Sequence, residues 1–71
     1  MRIQVNGEFR EYDAPLSIQE LIADLSLHME RLAIEVNGAV IRRVDWVNTM
    51  LNANDKIEIV HFVGGGGNAN C

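Results

Sequence analysis

Few residues of this 71-residue chain could do chemistry, and most are badly placed for it. The single cysteine, Cys71, is the last residue, and His28 and His61 share no metal-ligand spacing with it or with each other. As a nucleophile Cys71 would need a base held beside it, which a terminal stretch of small residues does not provide. Glu30, Glu35 and Glu58 are spaced as surface charges, and nothing marks a general-acid pair. The feature that needs explaining is Gly64-Gly65-Gly66-Gly67, followed only by Asn68-Ala69-Asn70-Cys71. A glycine run can cradle a phosphate, but such loops lead into a helix N-terminus, and here the chain stops first. A second reading is a loose linker. The third is a threading tail, since residues without Cβ can enter a channel that any side chain would block. Such a tail would carry a main-chain carboxylate to a partner's active site.

A tail of this kind must leave a folded body. Ile3 and Val5 alternate with Arg2 and Gln4, the period of a half-buried strand. Asn6-Gly7 suits the positive φ angles of a type I′ turn, and Glu8 to Tyr12 returns as a second strand with Phe9 expected inward. Asp13-Ala14-Pro15-Leu16 breaks the strand, and Ser17-Ile18-Gln19-Glu20 reads as a capping box. Ile18, Leu21, Ile22 and Leu25 then form one helical stripe, too short to be stable except against a sheet. Leu32 to Val36 is a third strand, Asn37-Gly38 a second turn, and Ala39 to Arg43 a fourth strand. Trp46 and Leu51 anchor an irregular stretch, and Asn52-Ala53-Asn54-Asp55 is turn chemistry. Lys56 to Phe62 is the last strand, with Ile57 and Ile59 facing one way and Glu58, Val60 and Phe62 the other.

Two hairpins flanking one helix bury its stripe by forming a single mixed sheet across it, with the first and last strands paired in the middle. The expected fold is α+β, a β-grasp (ubiquitin-like) sheet of four to five strands on one helix. Residues 1–63 should form the domain and 64–71 a flexible tail, because glycines and small polar residues cannot offset their ordering entropy. If Ile57 and Ile59 are core, Val60 and Phe62 lie outside beside Ala33, and apolar groups on a solvent face suggest a docking patch. The competing reading folds Phe62 over the sheet edge.

Composition narrows the function. A chain this short hides only about 60% of its unfolded surface and has little room for a deep cleft. No apolar run approaches the roughly 18 residues of a membrane span, and the N-terminus shows no signal core. With no internal disulfide available, a cytoplasmic location and a chain monomeric on its own are expected. Ten acidic residues against six basic ones give a net charge of −4 and disfavour nucleic acid. A basic protein surface suits this charge better.

Taken in order, Ile3-Gln4-Val5-Asn6-Gly7, the helix from Ser17 to Leu25, and Ile34-Glu35-Val36-Asn37-Gly38 resemble the ThiS family, the sulfur carriers of thiamine biosynthesis. So do Ile41 with Arg43 and Trp46, Leu51, and Asp55-Lys56-Ile57-Glu58-Ile59-Val60. The most specific piece is Val60-His61-Phe62-Val63-Gly64-Gly65-Gly66, which is similar to the family's terminus. The resemblance implies a carrier without catalytic residues or bound cofactor. A ThiF-type adenylyltransferase would use ATP to adenylate its terminal glycine. Sulfur from a cysteine desulfurase route would give a thiocarboxylate, and thiazole synthase, ThiG, would take that sulfur. Gly64, Gly65 and Gly66 would thread, and Gly66 would carry the thiocarboxylate, with Gly65 or Gly67 as alternatives. Two departures stand against the family pattern. Asn54 replaces a turn glycine, a mild change because asparagine tolerates the left-handed conformation. The extension Gly67-Asn68-Ala69-Asn70-Cys71 puts the carboxylate on the wrong residue, which implies a processing protease. Related chemistry serving molybdopterin or cysteine, or a ubiquitin-like modifier, would begin with the same activation.

Overall fold

Two Asn-Gly dipeptides and one capped helix set the frame. In a computed structural model, which describes residues 1–62, strands β1 (Arg2–Val5) and β2 (Glu8–Glu11) join through Asn6 and Gly7, at φ 49° and 85°. Strands β3 (Leu32–Val36) and β4 (Ala39–Ile41) join in the same way through Asn37 and Gly38, at φ 53° and 85°. Both residues of a type I′ turn need positive φ, which asparagine followed by glycine supplies at least cost. Strand β5 (Lys56–His61) completes a five-stranded sheet in the order β2-β1-β5-β3-β4. The β1–β5 pair is parallel and the other pairs are antiparallel. The first and last strands are therefore neighbours inside the sheet, and the architecture is the expected β-grasp.

Helix α1 (Ile18–Asp24) closes one face. Both halves of its capping box form, with the Glu20 N–H donating to Ser17 Oγ (3.1 Å) and the Ser17 N–H to Glu20 Oε1 (2.8 Å). Its C-terminal end is a Schellman arrangement, in which the Ser26 N–H donates to the Ala23 carbonyl and the Leu27 N–H to that of Ile22. This places Ser26 at φ 58°, a position where glycine is usual. Ile18, Leu21 and Ile22 bury against Ile3, Val5, Ile34, Ile57 and Ile59 from the sheet, with Leu16, Leu32, Trp46 and Leu51 filling the flanks. The fourth strand ends sooner than expected, and a 3-10 turn over Arg43–Asp45 swings Trp46 into the core. There its indole N–H donates to the Ile41 carbonyl (2.9 Å), so its burial leaves no donor unpaired.

Phe9 departs from expectation, since it points outward and is 63% exposed. The two-residue turn sets Val5 opposite Glu8, which puts Phe9 opposite Gln4 on the outer face. A shift of one residue in register exchanges the two faces of a strand, and the turn fixes that register. The Arg2 guanidinium stacks over the Phe9 ring at 4.0 Å, so part of the ring is still covered. No part of β2 is buried. Tyr12, next after it, braces the edge to the helix by donating to Asp24 Oδ2 (2.9 Å). Among the described residues, no helix is long and apolar enough to cross a membrane.

Candidate docking face and tail exit

Strand β5 carries the residues of interest because its alternation divides them cleanly. Ile57 and Ile59 are buried, while Val60 is 47% and Phe62 57% exposed. Ala33 lies directly opposite Val60 on β3 and is half-buried. The structure thus places Val60 and Ala33 side by side on the outer face, with Phe62 two residues further along the same strand. Phe62 does not fold over the edge into the core. Its N–H donates to the Arg31 carbonyl (2.8 Å), extending the β3–β5 pairing to the last described residue. Glu35 and Glu58 face each other one step back along the same face. Neither is in an ion pair among the described residues. Like charges directly opposite cost stability, and a cationic surface laid over them would relieve that cost.

The glycines assigned to threading and to the carboxylate, Gly64, Gly65, Gly66 and Gly67, lie outside the described residues, as does Cys71. The boundary expected after residue 63 lies there too. His28 and His61 are both exposed, His28 ahead of the 3-10 turn Met29–Arg31 and His61 opposite Leu32. No group of three or more His, Cys, Asp or Glu able to hold a metal occurs among the described residues. Burial is the main cause holding the Tyr12 phenol above its ordinary pKa, and the bond to Asp24 and the charge of that carboxylate push the same way. Tyr12 is a brace between sheet edge and helix, on the side away from Val60 and Phe62.

Sequence reading missed what the turn asparagines do with their side chains. Asn6 Oδ1 accepts from the Ile59 N–H (2.7 Å) while its Nδ2 donates to the Ile59 carbonyl (3.2 Å). Asn37 Oδ1 accepts from the Lys56 N–H (2.9 Å) and its Nδ2 donates to Asp55 Oδ1 (3.0 Å). Each hairpin turn therefore grips β5, Asn37 at its first residue and Asn6 at its fourth. The available signal was asparagine at the first turn position, which the demand for positive φ already explained. A second exposed apolar group, Val44, Val47 and Met50, lies in the stretch between β4 and β5 and was also not foreseen.

The model of the ThiS family matches residues 3–66, a span that runs from the second residue of β1 through the rest of the sheet and ends on the third glycine of the run. The chain belongs to the ThiS family. Within it, the sulfur carrier protein ThiS of Bacillus subtilis (strain 168) is 35% identical over 65 residues, which cover 90% of this chain and 98% of that protein. A thiazole synthase of Magnetococcus marinus is 38% identical over 66 residues, 93% of this chain but 20% of that protein. This chain thus spans about a fifth of the length of that larger relative. The crystal structure of a thiamine biosynthesis protein (ThiS) from Geobacter metallireducens superimposes with a TM-score of 0.81 at 32% identity. That superposition covers 93% of this chain and 100% of the other. Both share the β-grasp sheet and its single helix.

Proposed function

We propose that this ThiS-family chain is a sulfur carrier of thiamine biosynthesis, a protein co-substrate whose working group is the main-chain carboxylate of Gly66. The observation that carries the proposal is the position of the family match, which closes on Gly66 a few residues beyond β5, whose outer face ends in exposed Val60 with Phe62 next along it. A carboxylate is a poor electrophile. In the proposed cycle its oxygen attacks the α-phosphorus of ATP on a ThiF-type adenylyltransferase, and pyrophosphate leaves. The terminal sulfur of a cysteine persulfide supplied by a desulfurase displaces AMP to give an acyl disulfide. A thiol then attacks the cysteine sulfur, releasing the thiocarboxylate and leaving a disulfide between that thiol and the cysteine. The chain's own contribution is binding and delivery. Val60, Phe62 and Ala33 dock the partner, while Gly64, Gly65 and Gly66 pass through a channel without a Cβ to obstruct it.

A thiazole synthase of the ThiG type is the proposed acceptor. It is supported by the Magnetococcus marinus thiazole synthase, which holds a region like this chain within one polypeptide. Trimming of the residues after Gly66 by a protease is part of the proposal, because adenylation there requires Gly66 to be terminal. The test is intact-mass measurement after incubating chain ending at Gly66 with ATP, a sulfur donor and the activating enzyme. The expected gain is the mass difference between sulfur and oxygen, located on the terminal glycine. An unchanged mass with an enzyme that modifies the Bacillus subtilis carrier refutes the proposal. Mass analysis of the protein from its native cell tests the trimming.

A further inference from the structure

We infer that Asn6 is a positioning residue, one whose side-chain amide stands in for a missing strand residue and sets the path on which β5 leaves the sheet toward the tail. This rests on the carrier reading above. The two sides of β5 are supported unequally. On the β3 side, register pairing runs from Val36 opposite Ile57 to Leu32 opposite His61, and the Phe62 N–H then reaches the Arg31 carbonyl (2.8 Å). On the β1 side, pairing stops at Val5 opposite Ile57, because the chain turns away at Asn6 and Gly7. The Asn6 main-chain N–H makes one more bond, to the Ile57 carbonyl (2.9 Å). Beyond that, backbone pairing on this side is replaced by the Asn6 amide, which makes both bonds that a continued β1 would give to Ile59, at 2.7 and 3.2 Å.

A side-chain amide carries an acceptor oxygen and, on its NH2, an N–H pointing to the same side, so it can meet both the N–H and the carbonyl of one strand residue where the backbone has turned away. The held residue, Ile59, directly precedes Val60 and lies three before Phe62. Without the amide, the N–H and carbonyl of Ile59 lose their partners, and the last turn of support for the docking face comes from β3 alone. Asn37 supplies an internal control, because it occupies the equivalent turn position of the other hairpin, gripping Lys56 at the start of β5 and Asp55 just before it. It has the same local chemistry but stands far along β5 from the exit.

The test compares Asn6→Gly with Asn37→Gly in chain ending at Gly66. Glycine accepts the positive φ of either turn, so each variant keeps its hairpin and loses only the amide. In Asn6→Gly, amide hydrogen exchange at Ile59 should accelerate about ten-fold, the scale expected from losing a well-made hydrogen bond and its partner, while Val60, bonded toward β3, stays slow. Adenylation should then lose about ten-fold in kcat/KM, mainly through KM, whereas Asn37→Gly of similar thermal stability activates normally. Unchanged Ile59 exchange would overturn the clamp. Faster exchange with normal activation would overturn the positioning role and leave the carrier reading intact. Equal loss of activation in both variants would reduce Asn6 to ordinary stability. A wild-type chain that accepts no AMP overturns the carrier reading, and the positioning role falls with it.

Discussion

Replacing Phe62 by aspartate separates a docking residue from a core residue. Phe62 is 57% exposed, so a little under half of the residue is covered. Complete burial of a phenylalanine side chain is worth about 1.5–3 kcal/mol, so the covered fraction accounts for about 1 kcal/mol. In a chain of this size that corresponds to a fall in Tm of about 4–8 °C. Loss of a central aromatic anchor from an interface costs about 2 kcal/mol or more, roughly 30-fold in Kd. Thermal unfolding by circular dichroism and calorimetric titration with the ThiF-type enzyme read the two effects separately. Val44→Asp is the matched control, since Val44 is also largely exposed but sits in the 3-10 turn between β4 and β5. Phe62→Asp should bind about 30-fold more weakly than Val44→Asp, with both variants folded. Global unfolding of Phe62→Asp would put the ring in the core. Equal affinities would refute the docking face.

Other outcomes follow from particular contacts. Ser26→Gly should raise stability by about 0.5–1 kcal/mol in urea titration, because the left-handed conformation at φ 58° costs a residue with a Cβ more than it costs glycine. Tyr12 has its folded pKa raised above the ordinary 10.0, so its contribution is complete below that pH and lost as pH rises through the folded value. Wild type should therefore lose more stability than Tyr12→Phe when unfolding is measured above pH 10 rather than below it. Identical alkaline losses in the two proteins would remove Tyr12 from the account. Leucine at Gly65 and Gly66 should leave Tm unchanged while abolishing thiazole formation in cells grown without added vitamin. Normal growth would show that the proposed channel does not exclude side chains.

Much of this molecule can be read along the chain because the relevant forces are local. Asn6-Gly7 and Asn37-Gly38 announce their turns through φ preference, and Ser17 with Glu20 announces the helix start through bonds spanning three residues. The alternation from Lys56 to His61 separates Ile57 and Ile59 from Val60 without reference to any neighbour. The glycine run is equally plain, and the family match ends within it, on Gly66. Local pattern fails where the outcome depends on a partner distant in sequence. Phe9 looked like a core residue in a short strand, but its face follows from register against Gln4 and from β2 lying beyond the helix's cover. Asn6 satisfies its turn whether or not anything meets its amide, and the Ile59 backbone it holds is 53 residues away. Backbone angles belong to single residues and their neighbours, and composition and spacing report them. Which face is covered, and which side chain completes a ladder, are set when separated segments meet, so they could be known only from the folded chain.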